Sequence, residues 1–474
     1  MAWGRAGIVL GAVIVGVTAL SGGQGDDART PLGLPGLPAP LFGVAVIGNG
    51  ERTGAVDAYG DVVDLRSPGP AGRPRVAVSS KRQAAGTVPL GSVIVVRVRL
   101  RDGRRLPLWR ADSVQQRYVP ETNVLRTVAW FGDESRVVVR RTGGQREVGV
   151  DRHWLHRARP LGRHAPQWAR AMYRRSLLVL RALTDRRSGA VVAGVRDDWA
   201  YVWPRDAAAV TMALASAGYE AEAKRVAHFL VSLDLSAAAR FDGTGAPVAG
   251  RAAQGDAAGW VTAAARAAGL DRRAAGLEDL DATSSQWHWR NRPDYQEGDA
   301  GDYLGNAIAS GEKRIASAFV TARGLVRIAD DPESGLDSAA AWVIRPFSLP
   351  SLYPAARTTL HRLVAASGRF GIVPSERWHG GDDPWTAPTA WTAWALAALW
   401  RTDRHEGRRR AARGDRRAAL HLMVDLRRAA TPLGVLPERI DAHTGLPTST
   451  TPLAWSHAFA ILALGELWPG RAGA

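Results

Sequence analysis

The hydrophobic periodicity of the chain changes near Pro166, and this change limits the folds that the chain can adopt. Before it, short runs rich in Val and Ile alternate with turn residues, which is typical of an antiparallel β-sandwich. After it, apolar residues recur at helical spacing over about 300 residues, roughly eleven helices, enough for a ring of helical hairpins. Strands are expected in these runs: Phe42–Ile47, Gly54–Ala58, Val62–Leu65, Ser92–Leu100, Val124–Phe131 and Arg136–Arg140.

The change of period predicts a β-sandwich domain over residues 41–150, a linker over 151–166 and an all-α domain over 167–474. Within the all-α part no further strand is expected, and residues 303–328 are predicted to form one helix. The dipeptide Asn49-Gly50 is read as a hairpin turn, since a strand and not a helix follows its glycines.

The first 21 residues have the pattern of an export signal, with Arg5, the apolar run 7–20 and then small residues. The run is short for a bilayer span, but no small-x-small cleavage site follows, so an uncleaved N-terminal anchor is the alternative. Residues 22–40 are rich in Gly and Pro and predict a flexible spacer. We therefore expect a secreted or extracytoplasmic protein that contacts a membrane only through this anchor, if at all.

Composition removes several classes of function. The absence of cysteine excludes disulfide frameworks and thiolate chemistry. The net charge of +17 comes almost entirely from arginine, which indicates a GC-rich genome rather than a nucleic-acid partner. No metal site is expected, because the cluster of His153, His156 and His164 lies among arginines with few carboxylates. The 18 tryptophans outnumber the eight tyrosines and eight phenylalanines together, and such rings can stack on sugars as well as fill a core.

Polar, tryptophan-rich segments occur just before four predicted helices. In a ring of antiparallel hairpins the inner helices run the same way, so the loops before them meet at one rim and can line a pocket. The four segments are 199–206, 294–299, 379–385, and 436–439 together with 451–457.

Helix capping is the ordinary alternative for these segments. Asp383-Pro384 and Thr451-Pro452 have the form of N-cap and N1 pairs, and Asp206 could cap the helix after it. Capping does not account for three neighbouring tryptophans: Trp203, Trp385 and Trp455.

At these residues the sequence resembles glycoside hydrolase family 15, the glucoamylase-like enzymes. The matching motifs are Y-V-W-P-R-D-A-A (201–208), G-G-D-D-P-W-x-x-x-T-x-W (380–391), and L-P-E followed by T-P-L-A-W-S-H-A (436–458). In the first part, I-G-N-G (47–50) and Y-V-P-E-T-N-V-L-R-T (118–127) are similar to the β-sandwich domain of the bacterial members. The resemblance implies an (α/α)6 toroid of six helical hairpins behind an antiparallel β-sandwich.

The resemblance also implies roles for the site residues. Glu438 would be the general base and Glu297 the general acid, while Arg205 and Asp206 would hydrogen-bond the terminal sugar. An inverting glycosidase needs one such carboxylic acid and one carboxylate roughly 6.5–9.5 Å apart, with room for water between them. The remaining implied contacts are the stacking faces of Trp203, Trp385 and Trp455.

These roles predict an exported, inverting exo-glycosidase that releases glucose from the non-reducing end of an α-glucan or α-glucoside, with no cofactor needed for the chemistry. A trehalase of the same fold and a carbohydrate-binding relative without turnover are the alternatives. Two positions depart from the family's pattern: Gln296 replaces the usual tryptophan before the acid, and Arg439 replaces the usual glutamine after the base. A cation beside Glu438 is expected to lower the pKa of that carboxylate.

Overall fold

The structure is a computed structural model. It describes residues 13–14, 44–66, 75–80, 83–89, 97–100, 102–132, 135–140, 145–196, 199–251, 253–270, 303–378 and 381–470.

Short antiparallel sheets make up the described part of the chain before residue 141. β2 pairs with β3 and β3 with β4, while β10 lies between β9 and β11. β1 pairs with β7 and β7 with β8, and β5 and β6 form a hairpin. The strands are β1 (Val13–Ile14), β2 (Ala45–Gly48), β3 (Thr53–Val56), β4 (Val62–Arg66), β5 (Arg75–Ser80), β6 (Gln83–Pro89), β7 (Arg97–Arg99), β8 (Arg105–Pro107), β9 (Ser113–Tyr118), β10 (Leu125–Phe131) and β11 (Ser135–Arg140).

The hairpin between β2 and β3 confirms the turn predicted at Asn49-Gly50. Gly50 has φ +89°, and a Cβ there would lie 2.2 Å from the carbonyl oxygen of Thr184. Only glycine meets both conditions. The hairpin tip therefore lies against the end of the first long helix of the all-α part.

The segment 118–127 joins the sheets to that helix. The guanidinium of Arg175 lies 3.5 Å from the centroid of the Tyr118 ring, and it also donates to the side-chain oxygen of Asn123. The Asn123 amide in turn donates to the carbonyl of Leu178 at 2.8 Å. These contacts place the β domain on the outer face of the helical ring.

Helices make up most of the described chain after residue 144. They are α1 (Gln145–His156), α2 (Gln167–Leu183), α3 (Pro204–Ser216), α4 (Glu220–Val231), α5 (Ala257–Ala267), α6 (Leu304–Ser310), α7 (Ile315–Ala318), α8 (Tyr353–Ala365), α9 (Thr386–His405), α10 (Arg409–Ala429) and α11 (Ala454–Leu467). Two 3₁₀ segments lie among these helices, Ser338–Val343 and Pro350–Leu352, and a third, Leu108–Arg110, lies among the strands before them.

Six of these segments close into an inner ring by packing against one another in turn: α3, α5, α6, the 3₁₀ segment Ser338–Val343, α9, α11 and back to α3. Their residues are buried almost all round and rich in alanine, as expected of helices with neighbours on every side. The contact is close enough that a Cβ on Gly259 would lie 1.9 Å from the carbonyl oxygen of Ala309. This ring is the inner layer of an (α/α)6 toroid.

The outer layer consists of amphipathic helices whose polar faces carry arginine. α2 packs on α11, α4 on α3 and α5, α8 on the 3₁₀ segment, and α10 on α9. Across the ranges that the structure covers, no helix has the length and apolarity that a membrane span requires.

The prediction of one helix over residues 303–328 is wrong. α6 ends at Ser310, where Gly311 takes the left-handed conformation with φ +73° that terminates helices. A three-stranded antiparallel sheet follows after α7, which also contradicts the expectation of no further strand. Its strands are β12 (Val320–Thr321), β13 (Gly324–Ile328) and β14 (Asp331–Leu336).

Candidate active site

The first turns of the inner helices meet at one rim of the ring. The guanidinium of Arg205, in the first turn of α3, lies 4.9 Å from the ring centroid of Trp455 at the start of α11. The Thr386 hydroxyl, in the first residue of α9, bonds the Ser456 hydroxyl at 2.7 Å. Asp256, just before α5, pairs with Arg205. The predicted meeting of loops at one rim is therefore found for every such loop that the structure describes.

The carboxylate of Glu438 lies at this rim, on the loop between α10 and α11. The indole N–H of Trp199 donates to its Oε1 at 3.0 Å, and the Ser449 hydroxyl donates to its Oε2. Trp199 belongs to another loop of the same rim, while Ser449 lies later on the same loop as Glu438. Because each oxygen has a donor of its own, the plane of the carboxylate is fixed.

Arg205 and Asp206 enter the rim side by side from the first turn of α3, and each is only 5% exposed. Pro204 starts the helix with its fixed φ, which leaves both side chains in the first turn. Arg205 donates to Asp256 at 2.9 Å and to the side-chain oxygen of Gln254 at 3.2 Å. The guanidinium is thus oriented by two residues that precede α5.

Burial raises the pKa of Asp206 to about 7. The neighbouring Arg205 opposes this shift, while the negative charges of Glu438 and Asp256 add to it. Asp206 therefore lies in a cluster with one guanidinium, that of Arg205, and two further carboxylates, those of Glu438 and Asp256. Such a cluster at a polar rim is typical of a catalytic or binding site.

The three predicted tryptophans lie at the same rim. The indole N–H groups of Trp203, Trp385 and Trp455 are buried and find no acceptor among the described residues. Trp385 meets Trp378 edge to face at 5.4 Å between centroids. Aromatic rings at a polar rim suit a ligand that presents flat apolar faces, such as a sugar.

Arg439 turns toward Asp383. Its Nε donates to the Thr448 hydroxyl at 3.0 Å and lies 3.7 Å from a carboxylate oxygen of Asp383. The guanidinium thus has a carboxylate partner other than Glu438. The lowered pKa expected for Glu438 stays a prediction.

The capping interpretation is wrong for these segments. α9 begins two residues after Pro384, with Trp385 as its N-cap, and α11 begins after Leu453. The Asp383 carboxylate instead accepts from the backbone N–H of Ala442 at 3.1 Å. None of α3, α9 and α11 has a side-chain hydrogen bond at its N-cap, and Asp383 is instead bonded by residues of the neighbouring loop.

The predicted acid Glu297 lies outside the described residues, together with Gln296, Asp294 and Asp299. The predictions for these positions stay as they were. Within the covered ranges, no three His, Asp or Glu side chains are grouped to hold a metal ion.

Sequence reasoning missed four residues that support the site. Asp256 could have been found, since it too is an acidic residue directly before a predicted helix. Trp199 lies in the predicted segment 199–206 but had no role assigned to it, whereas Gln254 and Ser449 carry no signal in the sequence. The four are Trp199, Gln254, Asp256 and Ser449.

Comparisons with known proteins agree with this geometry. Residues 167–238 match the sequence profile described as "Glycosyl hydrolases family 15". A bacterial glucoamylase solved in complex with acarbose is similar at a TM-score of 0.52, with 12% identity over 96% of this chain and 97% of that one. The glucoamylase from Saccharomycopsis fibuligera is 15% identical over 65% of this chain and 96% of its own, at a TM-score of 0.49. A wild-type glycosidase is 19% identical over 66% and 98%, also at 0.49. No curated protein matches the chain.

The fold and the family match together define a glycoside hydrolase with an (α/α)6 ring and antiparallel sheets at its N-terminal side. The match over residues 167–238 confirms the resemblance to family 15.

Proposed function

We propose that the protein is an inverting exo-glycosidase that releases glucose from the non-reducing end of an α-glucan or α-glucoside. The observation that carries this proposal is the Glu438 carboxylate, held by Trp199 and Ser449 at the rim where the inner helices begin. The bacterial glucoamylase of similar fold was solved with acarbose, which supports a sugar ligand here.

Glu438 is the proposed general base. A carboxylate whose two oxygens are each oriented by a donor can hold and deprotonate one water molecule at a defined position. Glu297 is the proposed general acid, since hydrolysis with inversion needs a second carboxyl group on the other side of the bond.

Exo action is proposed from Arg205 and Asp206. Both are buried at the base of the rim, and Arg205 is held by Asp256 and Gln254. Buried, pre-oriented polar groups of this kind suit the hydroxyls of one terminal sugar ring, which would close the pocket to the interior of a polymer.

A panel of four glucosides tests the proposed reaction class. Purified protein is incubated with maltose, isomaltose, trehalose and soluble starch, and the released sugar is followed by anomer-resolved NMR. β-Glucose is expected first, because inversion converts an α-glucoside into the β-anomer. Release of α-glucose first would refute inversion, and turnover of trehalose alone would favour the trehalase alternative.

The carboxylate assignments are tested with Glu438→Gln and Glu297→Gln on maltose and on α-glucosyl fluoride. Each variant is expected to lose roughly 10²–10⁴-fold in kcat on maltose. Fluoride leaves without protonation, so the fluoride substrate should rescue the Glu297 variant but not the Glu438 variant. Calorimetry should show maltose binding to Glu438→Gln nearly unchanged, since the base acts in the transition state.

The matched control is Glu333→Gln, the same chemical change at a carboxylate that is 80% exposed. It should keep wild-type rates. If both active-site variants also keep them, the catalytic assignment fails, and Asp299 or Asp294 becomes the next acid to examine.

Secretion, or retention by an N-terminal anchor, is proposed from residues 1–21. Fractionation of expressing cells with an antibody to the chain tests it, because a cleaved signal, an anchor and a cytoplasmic protein give different fractions and masses.

A further inference from the structure

The backbone of the segment 436–438, which ends in the proposed base, is fully hydrogen-bonded. The N–H of Glu438 donates to Thr450 at 2.9 Å, and its carbonyl accepts from the N–H of Thr386 at 3.0 Å. The first carbonyl of the segment accepts from Leu453 at 3.1 Å, and the middle one from the Thr386 hydroxyl. These four bonds use groups that do not titrate.

The fifth bond involves a histidine. The N–H of Leu436 donates to Nε2 of His457 at 2.9 Å, and Nδ1 of His457 lies 2.9 Å from the Ser176 hydroxyl. All three residues are buried, with His457 and Ser176 at 0% exposure. His457 thus connects the outer helix α2, the inner helix α11 and the loop of the proposed base.

The geometry fixes the tautomer of this imidazole. A backbone N–H can only donate, so Nε2 of His457 must be the unprotonated acceptor. Nδ1 then carries the hydrogen and donates to Ser176. Burial, together with the nearby cation Arg175, lowers the pKa of His457 to about 3, so the ring is neutral at ordinary pH.

We propose that His457 is a positioning residue for Glu438: its neutral imidazole holds the backbone two residues before the carboxylate and so keeps the base in its reactive orientation. The proposal rests on the proposed function of Glu438. A shift of about 1 Å in a catalytic group can cost roughly 10²-fold in rate. A hydrogen bond that fixes the backbone two residues before the carboxylate is therefore expected to affect turnover.

An apolar side chain of the same volume could fill the space of the ring but could not accept from Leu436. The buried N–H would then lack a partner, which is unfavourable, and the loop would relax to find one. The proposed role therefore depends on the acceptor and not on packing, and this difference can be tested.

Two amide variants separate the acceptor from the rest of the side chain. In His457→Gln the amide oxygen reaches the place of Nε2 and can accept from Leu436. In His457→Asn the shorter amide reaches only the place of Nδ1 and can bond only Ser176. We expect the Asn variant to lose roughly 10- to 100-fold in kcat with little change in KM, and the Gln variant to recover most of that loss.

The core-packing control is Leu230→Ala in α4, a fully buried residue on an outer helix that packs against α3 and α5. It should lower the melting temperature while leaving kcat unchanged, which shows that lost stability alone does not slow turnover. Both His457 variants are first checked for cooperative unfolding.

The outcomes distinguish the two proposals. If the wild type turns over and Glu438→Gln does not, but His457→Asn keeps the wild-type kcat, then the positioning role is refuted and the function stands. Equal losses in the Asn and Gln variants would also refute it. If Glu438→Gln keeps full activity, the proposed function itself has failed.

Discussion

The buried carboxyl of Asp206 makes a stability prediction that depends on pH. Its pKa rises from the ordinary 3.8 to about 7, first because of burial and then through the charges of Glu438 and Asp256. Between these two pH values the folded protein binds a proton that the unfolded chain releases. Stability from this group is therefore fully present below about pH 4 and is lost as the pH rises toward 7.

The change Asp206→Asn removes this dependence, because an amide does not ionise. A shift from 3.8 to about 7 is worth about 4 kcal/mol at about 1.4 kcal/mol per pKa unit. The variant should match the wild type near pH 4 and exceed it by a value on the order of 4 kcal/mol above pH 7. It should also lose activity, since Asp206 is a proposed sugar contact.

Urea unfolding followed by circular dichroism at several pH values from 4 to 8 measures this difference. The comparison of wild type and variant cancels the titration of every group that does not interact with Asp206. A matched control is Asp337→Asn: burial also raises the pKa of Asp337 to about 7, but its nearby charge is Arg327 and not Glu438. The difference in unfolding free energy between Asp337→Asn and the wild type should rise with pH in the same way. Parallel curves for Asp206→Asn and the wild type across the whole range would refute the reasoning.

Two further variants test the contacts around the site. Arg205→Met leaves Asp256 buried without its ion pair, so thermal unfolding should show a loss of about 3–5 kcal/mol, and an unchanged melting temperature would contradict the pair's role. Trp199→Phe keeps an aromatic ring but removes the N–H donor to Glu438. We expect kcat on maltose to fall roughly tenfold while the melting temperature changes little. An unchanged kcat would mean that this hydrogen bond does not orient the base.

The architecture of the rim could be predicted because it follows from local order along the chain. The change of hydrophobic period at Pro166 predicts helical hairpins. When such hairpins form a ring, the inner helices run in the same direction, so their first turns lie at the same rim. The same reasoning failed at residues 303–328, where Val320, Leu325 and Val326 suit a strand or a helix. There the left-handed Gly311 ended the helix, and tertiary pairing decided the rest.

The support of the base could not be predicted, because it depends on contacts between distant parts of the sequence. Trp199 and Glu438 are 239 residues apart, and Ser176 and His457 are 281 apart. Neither pair has a periodic or motif signal. The role of Arg439 was equally out of reach, since its contact with Asp383 depends on how two loops meet.

The many alanines of the inner helices have a structural role and do not only reflect the base composition of a GC-rich genome. Ala207, Ala208 and Ala209 are all at 0% exposure in the first turns of α3, and α9 and α11 carry further buried alanines. Small side chains let helices approach closely, and only a close ring brings first turns from different helices within hydrogen-bond range of one another. The contacts of Arg205 with Asp256 and of Thr386 with Ser456 both cross such junctions. A composition that looks like genomic bias is therefore also what allows the starts of α3, α5, α9 and α11 to meet at one polar rim.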